Sequence, residues 1–175
     1  MSLYRITTDK LESVPRTTFA AESLLERDDL QRLLRQDIST IGDGLMVIAE
    51  EFGEWENANR RIDLLCLNQR GDLVVVEIKR TEDGGHMELQ AIRYSAMVSS
   101  MTLDQVVQTY ARTCGREEAE ARDEILNFLQ SASSDDTELT GEVRIILVSA
   151  DFSIEVATSV LWLNRQNLDI TCIRL

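Results

Sequence analysis

Two apolar runs on either side of a five-residue turn place the strongest constraint on this chain. Leu64-Leu65-Cys66-Leu67 precedes Asn68-Gln69-Arg70-Gly71-Asp72, and Leu73-Val74-Val75-Val76 follows it. The β-branched enrichment and the turn residues predict an antiparallel hairpin. Neither run alternates with polar residues, so both faces of these strands must be covered, as inside a sheet flanked by helices. Charged residues sit where the runs end: Arg60-Arg61-Ile62-Asp63 on the first strand and Glu77-Ile78-Lys79-Arg80 on the second.

The other elements fit one α/β domain over residues 1–175, a usual domain size. Residues 1–18 read as an irregular or edge segment. Ser23-Leu24-Leu25-Glu26 has the pattern of a capping box and predicts an amphipathic helix to about Ser39, ended by Gly42-Asp43-Gly44. Leu45–Ala49 reads as a strand, 50–59 as an acidic connection carrying Trp55, and 86–99 as an amphipathic helix. More helix follows over 103–131, then a polar linker to Gly141. Val143–Ser149 reads as a strand, 154–167 as a helix and 169–173 as a last strand. Trp55 and Trp162 are expected in the core. The chain ends on a strand, which leaves room for further sequence beyond Leu175.

Composition narrows the environment. The sequence offers no eighteen-residue apolar run and no signal-peptide pattern at its start. Its three cysteines (Cys66, Cys114, Cys172) are far apart, as expected of reduced thiols in a cytoplasmic protein. The formal net charge is −13, which opposes binding to phosphate backbones. Between Arg60 and Arg93, however, six basic residues balance six acids, so the excess acid lies elsewhere. Lysine occurs only at Lys10 and Lys79, against 16 arginines. A lysine in mid-chain therefore asks for a reason, and a compact ammonium approaches a single oxygen better than a planar guanidinium does.

With the turn centred on Arg70, facing residues on the two strands have numbers adding to 140. Asp63 and Glu77 then lie opposite one another, with side chains on one face about 5 Å apart at Cβ. Lys79, two residues further on, projects from the same face. Two facing carboxylates are destabilising without a counter-charge. A divalent cation supplies one: Mg²⁺ takes oxygen ligands, binds through one or two carboxylates and keeps waters for chemistry. One histidine in the whole chain speaks against an imidazole-rich zinc site. The expected chemistry is phosphodiester hydrolysis, with Lys79 orienting water or stabilising charge on the phosphate. The plain alternative is an exposed charge ladder.

These residues, Asp63 followed by Glu77-Ile78-Lys79 at the end of an apolar strand, resemble the PD-(D/E)XK nuclease superfamily. The wider strings Arg60–Leu65 and Leu73–Arg80 look most like the nuclease domain of NucS-type endonucleases. The resemblance implies a restriction-endonuclease-like α/β core, a central mixed sheet flanked by helices. It implies Asp63, Glu77 and the Ile78 carbonyl as ligands of Mg²⁺, with Mn²⁺ able to substitute, and Lys79 as the catalytic lysine. Glu26 matches a first-helix glutamate of the superfamily, though it is equally the capping-box acid. Gln90 and Tyr94 match a Gln-x-x-x-Tyr pair, with Gln90 bordering the metal site and Tyr94 either touching substrate or packing. One departure is Ile62, where proline often precedes the aspartate.

The expected function is metal-dependent endonucleolytic cleavage of DNA (single-stranded, branched or mismatched) in repair or defence. Arg60, Arg61, Arg80 and Arg93 are candidates for phosphate contact, with surface salt bridges as the alternative. His86 is placed at the loop-to-helix turn, as a solvated or capping residue. A homodimer is among the expected states. The rival reading is a binding module for nucleic acid or protein on the same fold. A third, purely structural reading predicts that Asp63→Ala is neutral or stabilising.

Overall fold

The hairpin forms the middle of a five-stranded mixed sheet in the computed structural model. The structure describes residues 3–53, 61–80, 86–130 and 139–175, without the side chains of Glu26, Arg27, Asp28 and Gln130. The strands are β3 (Leu45–Phe52), β4 (Ile62–Asn68), β5 (Leu73–Lys79), β6 (Val143–Ser149) and β7 (Asp169–Arg174), in the order β3-β4-β5-β6-β7. The pairs β3/β4 and β4/β5 are antiparallel, while β5/β6 and β6/β7 are parallel. Before them, β1 (Leu3–Ile6) and β2 (Leu11–Val14) make a separate two-stranded hairpin where the sequence reads as an irregular or edge segment.

Helices cover both faces, as two uninterrupted apolar strands require. On one face, Val74, Val76 and Ile78 pack with Ile146 and Val148 against Leu30, Leu34 and Ile41. On the other, Leu73, Val75, Leu65 and Leu67 pack against α2 (Met87–Val98), α3 (Leu103–Cys114), α4 (Glu118–Gln130) and α5 (Ile154–Arg165). The predicted helix over 103–131 divides at Gly115, which ends α3 in the left-handed conformation at φ 62°. A bulge between Val47 and Ala49 puts both Ile48 and Ala49 on the four-helix side.

The first helix departs from expectation. A π-helical turn, Glu26–Gln31, runs into the short α1, Arg32–Gln36. Ser23 lies outside it at φ 57°, and Leu25 takes the capping position without a side-chain bond. The Asp29 carboxylate accepts the Leu25 N–H at 2.9 Å, while the Glu26 side chain of the expected capping box lies outside the described residues. Trp162 is 59% exposed on α5 rather than in the core, and Trp55 lies outside the described residues.

The hairpin turn is built around buried Asp72. Its carboxylate accepts from Asn68 Nδ2 at 2.7 Å, Arg70 at 2.6 Å and Thr140 Oγ1 at 2.7 Å. Thr140 precedes β6, so this carboxylate ties the antiparallel half of the sheet to the parallel half. Burial pushes its pKa up, but the Asn68 and Thr140 hydrogen bonds and the Arg70 guanidinium outweigh that and hold it below the ordinary value. A carboxyl lowered on folding stabilises above its unfolded pKa, near ~3.9, and that contribution is lost as pH falls through the folded value. Asp72→Asn is expected to cost about 1–3 kcal/mol at neutral pH and to flatten the acid limb of the stability–pH curve, as read by urea denaturation. Cys66 is fully buried and its thiol is pushed up to about 12 by desolvation. A thiol reagent is therefore expected to label exposed Cys114 in the native protein and Cys66 only after unfolding.

Candidate active site

The predicted register is the observed one. Leu64 pairs with Val76, Leu65 with Val75, Cys66 with Val74 and Leu67 with Leu73. The pairing ends at Leu64 and Val76, and Asp63 and Glu77 are the next residues outward on the two strands. In the antiparallel alternation, Asn68 and Asp72 form a hydrogen-bonded pair, with the Asn68 N–H donating to the Asp72 carbonyl at 3.0 Å. Every second pair repeats this, so an ideal ladder would next join Ile78 to Ile62. Instead, the Ile78 N–H donates to Asp63 Oδ2 at 2.7 Å. The aspartate side chain thus substitutes for a main-chain acceptor and is anchored where the two strands end.

Glu77 and Lys79 project from the face that carries Leu73 and Val75, toward the four-helix layer. Lys79 Nζ lies 3.0 Å from Glu77 Oε1, and the two side chains are 23% and 3% exposed. Asp63 is also buried. The Asp63 and Glu77 carboxylates are thus both buried at this end of the sheet, and the half-buried Lys79 ammonium beside Glu77 is the most open of the three. Lys79 is held from the other side by the parallel ladder, where it pairs with fully buried Ser149.

The remaining predicted residues separate. Gln90 is half-buried in the first turns of α2, the helix that packs on β5. Tyr94, one turn on, is buried in the core of the four-helix side. Arg80 points to the opposite face and donates to the Leu24 carbonyl at 3.3 Å, joining β5 to the segment before the π-helical turn. Arg61 and Arg93 are exposed and make no ion pair among the described residues. Glu26 begins the π-helical turn, but its side chain lies outside the described set, as does Arg60 altogether. His86 occupies the position before α2 without a capping bond from its side chain.

Two acids not singled out from the sequence join this end of the sheet. Glu51 lies between the pairs Glu50/Leu64 and Phe52/Ile62, alongside Asp63, with a left-handed φ of 47°. The expected strand stopped at Ala49, which hid it. Glu88 is buried in the first turn of α2. Its only signal is an acid on the helix face that also carries Ala91. The described residues contain no group of three or more His, Cys, Asp or Glu side chains placed to hold a metal.

The family described as the endonuclease NucS C-terminal domain matches residues 26–111. An endonuclease NucS of Corynebacterium glutamicum (strain R) is 38% identical over 80 residues, covering 43% of this chain and 34% of that protein. The endonuclease NucS of a second strain of that species is 45% identical over 53 residues, covering 30% of this chain and 22% of its own length. The chain thus spans about a third or less of the curated relatives it matches. A crystal structure of a repair endonuclease from Pyrococcus abyssi aligns over 92% of this chain and 49% of its own, at 17% identity and a TM-score of 0.40.

The Asp63–Ile78 bond separates two substitutions. Asp63→Asn removes the like charge facing Glu77 and keeps an oxygen for the Ile78 N–H. Asp63→Ala leaves that buried donor unmet. In metal-free buffer Asp63→Asn is expected to match or exceed wild-type stability, and Asp63→Ala to fall below Asp63→Asn by about 1–3 kcal/mol. Urea unfolding of the three proteins measures both. This replaces the simpler expectation that Asp63→Ala is neutral or stabilising.

Proposed function

We propose that the chain carries a Mg²⁺-dependent endonuclease site for DNA, with Asp63 and Glu77 holding the ion and Lys79 serving the reacting phosphate. The observation that carries this reading is the burial of two carboxylates, Asp63 and Glu77, at the ends of neighbouring strands, with a half-buried lysine ion-paired to Glu77. The donor chemistry fits: these are oxygen ligands, and Mg²⁺ binds through one or two carboxylates while water and phosphate fill its remaining positions. The Ile78 carbonyl and Glu26 are the further ligands proposed. Mn²⁺, with similar oxygen preference, is expected to substitute.

When bound, the ion supplies Lewis-acid charge at a phosphoryl oxygen and lowers the pKa of a coordinated water. The residues of the chain do the rest. The Ile78 N–H fixes the orientation of the Asp63 carboxylate, so little reorganisation is needed when substrate arrives. Glu77 holds the Lys79 ammonium within the site. That ammonium, partly open to solvent, orients the attacking water or balances charge developing on the phosphate. Gln90 borders the site from α2. Arg61, Arg93 and Arg60 are proposed to contact the DNA backbone, while Arg80 is given to structure. The match of residues 26–111 to an endonuclease domain supports the same reading. The cytoplasm is the proposed compartment; no helix among the described residues is long and apolar enough to cross a membrane.

The net charge of −13 favours a second reading, a binding module without turnover. Incubation with labelled single-stranded, duplex and forked DNA in Mg²⁺ or Mn²⁺ separates the two. Metal-dependent cutting is expected in wild type and a loss of about 10²–10⁴-fold in Lys79→Ala and Asp63→Asn, with circular dichroism showing both variants folded. No cutting of any substrate, together with no heat of Mg²⁺ or Mn²⁺ binding in calorimetry, would leave the binding module in its place.

A further inference from the structure

Four acids are buried among the described residues: Asp63, Asp72, Glu77 and Glu88. The first three accept hydrogen bonds from, or pair with, groups of the chain. Glu88 is 8% exposed, its Oε2 is fully buried, and it makes no hydrogen bond or ion pair among the described residues. A carboxylate taken out of water without a partner opposes folding. Packing does not call for one here, since the other buried residues of α2 are Met87, Ala91, Tyr94 and Val98. The positive end of a helix favours an acid in its first turn, but an exposed acid gains that benefit without the cost of burial. A partner from outside the chain accounts for the burial of Glu88.

The fold brings Glu88 to the candidate site. Ser99 and Met101, just past the end of α2, line one small cavity with Gly71 and Leu73 at the start of β5. Helix α2 therefore runs antiparallel to β5, on which it packs. Its first turn lies over the far end of that strand, where Glu77 and Lys79 stand. Glu88 is on the buried face of α2, and Glu77 and Lys79 project toward the same layer. No group of three described acids is placed to hold one ion directly, so Glu88 is not a third ligand beside Asp63 and Glu77. A carboxylate beyond direct reach still meets an ion through water. Mg²⁺ keeps several of its waters, and each bound water donates strongly to a carboxylate.

We propose that Glu88 is a further residue of the metal site, accepting hydrogen bonds from water on the ion held by Asp63 and Glu77. It is a positioning residue: it acts on the ion through that water and fixes how the water is oriented. The inference rests on the reading above in one respect, that Asp63 and Glu77 hold Mg²⁺. An acid unmet without the ion and met with it acts in opposite directions in the two states. It lowers the stability of the metal-free chain and raises the affinity for Mg²⁺.

Calorimetric titration with Mg²⁺ and urea unfolding in EDTA test both directions on wild type, Glu88→Gln and Glu155→Gln. Glutamine keeps the shape of the side chain and removes its charge. In Glu88→Gln the Mg²⁺ dissociation constant is expected to rise by about tenfold to a hundredfold. The urea midpoint of the same variant in EDTA is expected to equal or exceed that of wild type. Glu155→Gln removes an exposed acid from the first turn of α5 and is expected to keep the affinity within about twofold. That control separates a contact at the site from a general loss of negative charge. If wild type and Glu88→Gln bind Mg²⁺ equally, this inference is overturned and the roles of Asp63, Glu77 and Lys79 stand. Equal losses in Glu88→Gln and Glu155→Gln overturn it as well. A wild-type chain that binds no Mg²⁺ overturns both this inference and the reading it rests on.

Discussion

The Asp63 carboxylate, accepting the Ile78 N–H at 2.7 Å, stands where the β4–β5 ladder would otherwise continue. The rest of the candidate site is arranged around that substitution. A main-chain N–H at the end of a buried strand needs an acceptor. Supplying it from a side chain ends the regular pairing and fixes one carboxylate in place. Because strand residues alternate, the same register brings Glu77 to the facing position and Lys79 to the same side of the sheet. A slip of one residue would send Glu77 and Lys79 to the opposite face, against Leu30, Leu34 and Ile41.

The two ends of this hairpin treat buried acid differently. At the turn, Asp72 accepts hydrogen bonds from Asn68, Arg70 and Thr140, and its charge is met within the chain. This is the pattern of a structural carboxylate, joining the antiparallel and parallel halves of the sheet. At the other end, the Asp63 carboxylate accepts the Ile78 N–H and Glu77 pairs with the Lys79 ammonium. Concentrating like charge in a buried place opposes folding, and under the function proposed above a bound cation would offset that cost.

Much of this was legible in the sequence because strand pairing is a local matter here. A five-residue turn leaves few registers, and the apolar runs on both sides exclude most of them. The strands Val143–Ser149 and Asp169–Arg174 and helix α5 were legible for similar reasons, since each has a strong apolar pattern with turn residues at its ends. The misses came from contacts with residues distant in sequence or from competition between neighbours. Ser23 has the right spacing for a capping residue, but it takes a left-handed φ of 57° and the helix begins after Leu25, whose N–H Asp29 accepts. Arg80 adjoins the site in sequence, yet strand alternation turns it to the other face, where the Leu24 carbonyl receives it. Glu51 was hidden because β3 continues past Ala49, and only its pairing with β4 reveals that it runs beside Asp63.

The sequence by itself determined the hairpin, its register and the set Asp63, Glu77 and Lys79 on one face, because alternation and turn length operate over a few residues. It also determined a sheet covered on both sides, since uninterrupted apolar strands admit no exposed face. Tertiary structure alone decided which neighbouring charges belong to the site and which to the scaffold. It sent Tyr94 into the core and left Trp162 at the surface. A helical pattern reports that a residue lies on an apolar face, but a helix with two such faces can press only one against its own sheet. For α5 that face is Val156 and Val160, and the choice follows from how the chain packs rather than from any property of the helix alone.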